Sequence, residues 1–198
     1  MYPQSHQTKI ILASSSPYRK LLLGQLRFPF DTFAPNVNEI RRPGEEPADL
    51  VARLAREKGR AVADQFPDAL VIGSDQLAVC DGTVLGKPGT PENAILQLGS
   101  FSGRTVDFQT AVAVMCSGSG YLFERTVITQ VQFRVLQEEE IHRYVQADKP
   151  LDCAGSFKSE ALGISLLDSM VSPDPTAIVG LPLIAVSQGL RGAGFDLP

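Results

Sequence analysis

With 198 residues, 43% of them hydrophobic and 20% charged, the chain carries enough apolar material for one globular domain and too much for a disordered one. A net charge of −4, with no run of Lys or Arg, excludes the electrostatic footprint of a polymeric nucleic acid partner; a small phosphorylated ligand held by a few local cations stays open. No apolar run is long enough to span a bilayer, and the opening Met-Tyr-Pro-Gln-Ser-His-Gln-Thr lacks the regions of a signal peptide, so a cytoplasmic protein without a membrane partner is expected.

The first element in chain order is a short apolar strand ending at Ala13, which runs straight into three serines, Pro17 and two cations. Ser16 suits an N-cap and Pro17 the first helical position. Backbone N–H groups, hydroxyls from Ser14 onward and the Arg19 guanidinium therefore converge on one anion-attracting spot, although an ordinary capped helix explains the segment equally well. A second strand is expected over residues 30–34, and a helix opening at Glu45-Glu-Pro-Ala-Asp49 reaches about residue 65. On that helix Leu50, Val51, Leu54, Ala55, Ala61 and Val62 share one face, with Lys58 in its middle. A buried ammonium without a partner is costly, so Lys58 either snorkels outward or meets an anion.

Residues 69–72 form a fully apolar strand followed by Gly73-Ser-Asp-Gln76. Asp75 then sits at the carboxyl end of a buried strand, where open α/β sheets bind ligands, or in a plain turn before Leu77. Asp81-Gly82 turns a hairpin between residues 77–80 and 83–85, and Gly86-Lys87-Pro88 folds a cation back toward Asp75 without the spacing of a P-loop. Thr90-Pro91-Glu92 starts a helix that Gly99 ends. Residues 105–115 and 121–136 make a long antiparallel pair, with Phe108, Phe123 and Phe133 assigned to the core. A polar helix over 138–146, a strand over 164–167 and a closing helix over 182–190 complete a single α/β domain spanning residues 1–198.

Cys80, Cys116 and Cys153 are odd in number and far apart, which suggests buried structural thiols rather than disulfides or zinc ligands. His6 in a tail and His142 on a polar helix argue against histidine chemistry. The remaining charged candidates form a set: Arg19, Lys58 and Lys87 match a polyphosphate, and Asp75 and Glu39 could hold a divalent cation between its oxygens.

The ordered motifs Ala13-Ser-Ser-Ser-Pro-Tyr-Arg19, Arg56-Glu-Lys58, Ile72-Gly-Ser-Asp-Gln76, Gly86-Lys-Pro88, Ser102-Gly-Arg104 and Val179-Gly-Leu-Pro182 resemble the Maf family of nucleoside triphosphate pyrophosphatases. Gly73-Ser-Asp-Gln76 with Cys153-Ala-Gly-Ser-Phe-Lys-Ser-Glu160 is similar to the branch that prefers 7-methyl-GTP. The dTTP/UTP branch typically has Gly-Ala-Asp-Thr at the first of these places.

The resemblance implies a mixed, twisted central sheet flanked by helices, two lobes with a cleft, and a fold related to inosine triphosphate pyrophosphatases. It implies a hydrolase that converts a nucleoside triphosphate and water to the monophosphate and pyrophosphate with a divalent cation, Mg²⁺ or Mn²⁺. It also implies a homodimer as the candidate assembly. Carried over residue by residue, Asp75 matches the general base or, as the alternative, a metal ligand alongside Glu39. Ser14, Arg19, Lys58 and Lys87 match the phosphate-binding positions, and Tyr18, Gln76 and Glu160 match the positions linked to base selection. Two departures stand out. Tyr18 replaces the branch's usual Trp, and Asn36-Val-Asn-Glu39 is less acidic than is usual in relatives. A nucleotide-binding regulator of division or septum formation with little turnover, and a pyrophosphatase for dTTP, UTP or non-standard nucleotides, are the alternative readings.

Overall fold

The computed structural model describes residues 8–198, so His6 lies outside the described residues. The chain opens with β1 (Ile10–Ala13), α1 (Pro17–Gly24), β2 (Asp31–Phe33) and α2 (Pro47–Ala63). Then come β3 (Leu70–Cys80), β4 (Thr83–Leu85), α3 (Pro91–Phe101), β5 (Thr105–Cys116) and β6 (Tyr121–Phe133). It closes with α4 (Glu138–Asp148), β7 (Leu167–Val171) and α5 (Leu183–Gly192).

The seven strands form one mixed sheet in the order β2-β1-β3-β5-β6-β7, with β4 added to β3. β1 pairs with β2 and β3 in parallel, and the other pairings are antiparallel. Local chemistry explains the turns and starts. Asp81 and Gly82 both take positive φ, 48° and 77°, as a two-residue hairpin that follows the strand twist requires. Thr90 caps α3 by accepting from the Asn93 N–H, and at the start of α4 the Glu140 carboxylate accepts from the Gln137 N–H at 3.0 Å.

Three expectations are corrected. The strand at 69–72 does not end before Asp75: β3 runs unbroken for 11 residues, because β5 pairs with it continuously from Val71 to Val79. What stops near Gly73 is the neighbouring strand β1, and β4 begins to pair only at Ala78. β1 and β4 share the edge of β3 opposite β5, so Ser74–Leu77 is an unpaired stretch between them. Residues 164–167 are not a strand, since Leu162–Leu166 forms a 3-10 turn that buries Leu166 and β7 starts after it. α3 does not end at Gly99, because burial of Phe101 draws the last turn into the core.

Alternation along β5 divides the core. Val106 and Phe108 pack with Phe101, Phe133 and Phe157 under α3 and α4, whereas Val112 and Val114 pack with Leu12, Leu23, Leu181 and Leu190 under α1 and α5. Between these two clusters the same face carries buried Thr110. On the opposite face Ala113 and Met115 meet α2. Phe108 and Phe133 are core residues as expected, and Phe123 is partly buried against the α5 cluster.

α2 crosses β3 backbone to backbone. A Cβ on Gly73 would stand 2.3 Å from the Ala55 carbonyl oxygen and 2.5 Å from the Gly59 nitrogen, so only glycine permits this approach. The crossing brings Lys58, one residue before Gly59, level with Asp75, two residues after Gly73.

Candidate active site

A cleft of about 1070 Å³ opens along the unpaired stretch of β3, and every candidate residue lines it: Ser14, Tyr18, Arg19, Glu39, Lys58, Asp75, Gln76, Lys87 and Glu160. Because successive strand residues face opposite ways, Asp75 points to the α2 side and Gln76 to the side of α5.

On the α2 side Lys58 does not snorkel. Its Nζ donates to Asp75 Oδ1 at 2.6 Å and to Glu39 Oε1 at 2.7 Å, with Lys58 and Asp75 only 8% and 6% exposed. Among the described residues Asp75 Oδ2 and Glu39 Oε2 make no hydrogen bond, so each carboxylate keeps one oxygen open. Burial pushes the Glu39 carboxyl up, but the hydrogen bond and charge of Lys58, with Lys87 and Arg19, outweigh it and hold the group below its ordinary value.

Glu39 lies on the irregular connection between β2 and α2, and that connection is strapped to α2. Arg53 donates from Nε and Nη2 to the two Glu45 oxygens at 2.6 and 2.9 Å, from Nη1 to Glu57 at 3.0 Å and from Nη2 to the Ile40 carbonyl at 3.2 Å. The Arg53 and Glu45 side chains are 11% and 9% exposed, so this pair is well shielded.

On the other side Arg19 is aimed by two backbone oxygens. Nε donates to the Gly180 carbonyl at 2.9 Å and Nη1 to the Ser74 carbonyl at 2.8 Å, which leaves three of its five N–H donors for the cleft. Burial lowers its pKa while Asp75 and Glu39 raise it, and the guanidinium stays charged at neutral pH. Gly180 takes φ of 113° in this turn. Ser14 is buried, and its Oγ accepts from the Ser16 N–H at 3.1 Å. Lys87 is exposed on the rim, with no ion pair among the described residues.

The Gln76 amide nitrogen donates toward the carbonyls of Ala177 and Ile178, both at 2.9 Å, and toward Thr110 Oγ1 at 3.0 Å. Two carbonyl acceptors fix the amide orientation and leave Oε1 as the free end. Tyr18, at the start of α1, carries the Lys158 ammonium over its ring at 5.9 Å, and Lys158 also donates to the Asp148 carbonyl at 2.8 Å. Burial raises the Tyr18 pKa, against the effect of Lys158, so the ring stays neutral. Glu160 is exposed on the same wall.

Several lining residues escaped sequence reasoning. Arg41 adds a fourth cation, two positions from Glu39, and Asp152 and Cys153 join the wall near Tyr18. Ser74 buries its hydroxyl against the Ala111 and Gly180 carbonyls, locking β3 to the turn that aims Arg19. Cys153 is thus a partly exposed cleft residue rather than a buried structural one, as Cys80 is; Cys116 is also only partly buried. Ser102-Gly-Arg104 does not line the cleft; Arg104 pairs with Asp81 at 2.8 Å. His142 is exposed beside Glu138.

Residues 9–193 match the family described as Maf-like protein. The chain belongs to the Maf family. Its relatives include a "7-methyl-GTP pyrophosphatase" of Aromatoleum aromaticum, 56% identical over 191 residues, covering 96% of this chain and 98% of the relative. Proteins of the same name from Xanthomonas campestris pv. campestris and Albidiferax ferrireducens are 56% and 52% identical, each over 96% of this chain and over 98% and 96% of their own lengths. Family membership explains the arrangement of motifs that are separately weak: the segments carrying Arg19, Lys58, Asp75, Lys87 and Glu160 all reach one cleft in this Maf chain.

Proposed function

We propose that this Maf protein is a nucleoside triphosphate pyrophosphatase that prefers 7-methyl-GTP, acting in the cytoplasm. The observation that carries the reading is the open stretch of β3, where a buried acid on one face and a fixed amide on the other meet in one cleft with four cations. The names of its relatives support the choice of substrate. No helix among the described residues is long and apolar enough to cross a membrane.

The triphosphate lies along the open stretch of β3, between Lys58 on the α2 side and Arg19 on the other, with Lys87 on the rim; these cations spread charge neutralisation over its oxygens and Ser14 adds a hydroxyl donor. Asp75 uses its free Oδ2 to take the proton of a water attacking the α-phosphorus. The new bond joins water oxygen to that phosphorus. The bond to the bridging oxygen breaks, and pyrophosphate leaves with the electron pair while the cations hold its charge.

The donor set suits a divalent cation. Glu39 and Asp75 each give one oxygen to the Lys58 ammonium and keep the other open, and no third His, Cys, Asp or Glu completes a group with them among the described residues. Two carboxylates with the remaining positions left to phosphate and water is the pattern of Mg²⁺ and, by extension, Mn²⁺. Bound there, such an ion would neutralise phosphate charge and lower the pKa of a coordinated water.

On the α5 side the base meets Gln76 Oε1, an acceptor suited to guanine N–H donors, and Glu160, whose charge complements a cationic 7-methylguanine. With Lys158 over one face of Tyr18, stacking is left to the other. Pyrophosphate release from 7-methyl-GTP, GTP, dTTP, UTP and CTP, with Mg²⁺, Mn²⁺ or a chelator, tests the reading. A metal-dependent preference for 7-methyl-GTP is expected. Preference for dTTP or UTP would overturn the substrate, and silence on every nucleotide would favour a binding regulator.

A further inference from the structure

We infer that Lys58 is the chain's own stand-in for the divalent cation: its ammonium holds Glu39 and Asp75 together before the metal arrives, then leaves them for the phosphates of the incoming nucleotide. This rests on reading the cleft as a metal-dependent triphosphate site. The Lys58 Nζ is 2.6 and 2.7 Å from one oxygen of each carboxylate, at the point to which both acids converge. A cation coordinated by those same two oxygens must share or take that place, whereas one held by the open Oδ2 and Oε2 would leave the ammonium where it is.

Charge decides between sharing and exchange. Lys58 is 8% exposed, so little water screens it from a second cation. A divalent ion added while the ammonium keeps both acids would put three positive charges against two negative ones in a shielded space. Moving the ammonium to a phosphate oxygen removes that conflict and leaves the two acids to the metal. Lys58 can make the move, because it lines the cleft and its four-carbon stem lets the head shift while α2 stays fixed by the Gly59–Gly73 contact.

Metal and nucleotide must then bind cooperatively through Lys58. The metal alone competes with the ammonium, the nucleotide draws the ammonium away, and the coupling is reciprocal. A lysine that merely scaffolds the acids would behave in the opposite way, since removing it would let Glu39 and Asp75 repel each other and weaken the metal site.

The test is Mn²⁺ binding, followed by electron paramagnetic resonance of the free ion, for the wild type, Lys58→Gln and Lys58→Met. Each is measured with and without an α,β-methylene analogue of 7-methyl-GTP. Without nucleotide both variants are expected to bind Mn²⁺ about tenfold or more tightly than the wild type, within the usual span of coupling between sites. The analogue should tighten Mn²⁺ on the wild type far more than on either variant. Equal or weaker Mn²⁺ binding by the variants, or an unchanged gain from the analogue, would overturn the proposal. Should neither variant fold, the wild type still decides, because Mn²⁺ affinity independent of the analogue overturns it as well. A wild type that releases pyrophosphate but shows no exchange sinks only the role of Lys58. One that releases none from any nucleotide sinks the functional reading, whatever Mn²⁺ does.

Discussion

Asp75 is anchored through one oxygen and open at the other. In Asp75→Asn the amide oxygen can still accept from Lys58 while its nitrogen can take no proton from water. The expected result is a fall in kcat/KM of about 10²- to 10⁴-fold, the range of a lost general base, with nucleotide binding retained in a calorimetric titration. Asp75→Ala should also lower the melting temperature. Its cost stays below the about 3–5 kcal/mol of an orphaned buried charge, because Glu39 remains to pair with Lys58. Cys153 behaves differently from what its place in the cleft suggests. Burial, with the charge of Asp152 added, pushes its thiol up to about 12. At pH 8 about one thiol in ten thousand is then ionised, so mass spectrometry after iodoacetamide treatment should find Cys153 essentially unmodified.

At the scale of elements, the site depends on how closely α2 lies on β3 and on what straps the β2–α2 connection to α2. Gly73→Ala forces a Cβ into the Ala55 carbonyl and the Gly59 nitrogen, which are backbone atoms that cannot move aside. An overpacking cost toward the upper end of about 1–3 kcal/mol is expected in thermal melts, together with lost activity as Lys58 is displaced from Asp75. In the strap, hydrogen bonds from Arg53 and from the Arg42 N–H hold Glu45 down to about 2, from an ordinary 4.5. A depressed carboxyl stabilises the fold above its unfolded pKa and loses that contribution as pH falls through the folded value. The melting-temperature gap between wild type and Glu45→Gln should therefore be full above pH 4.5 and shrink between 4.5 and 2. A gap that is constant across that window would show that the strap contributes nothing through charge.

Across the whole molecule, local signals and long-range pairing were legible to different degrees. The Ser16–Pro17 helix start, the Asp81-Gly82 hairpin and the lysine on the apolar face of α2 could be read because each is written in a few neighbouring residues. The unbroken β3 could not, since Ser74, Asp75 and Gln76 read as a break until β5 pairs across them. The Arg53 strap was equally hidden, because its partners lie outside any motif. In the proposed function the open edge of β3 lets one molecule serve two tasks, with phosphate chemistry on the Asp75 face and base choice on the Gln76 face. The most direct measurement of that division is the ratio of kcat/KM for 7-methyl-GTP to that for GTP, compared among wild type, Asp75→Asn and Glu160→Gln. A ratio that survives in Asp75→Asn, at much lower rates, and falls toward unity in Glu160→Gln is the expected result; a ratio that collapses in Asp75→Asn and persists in Glu160→Gln would contradict it.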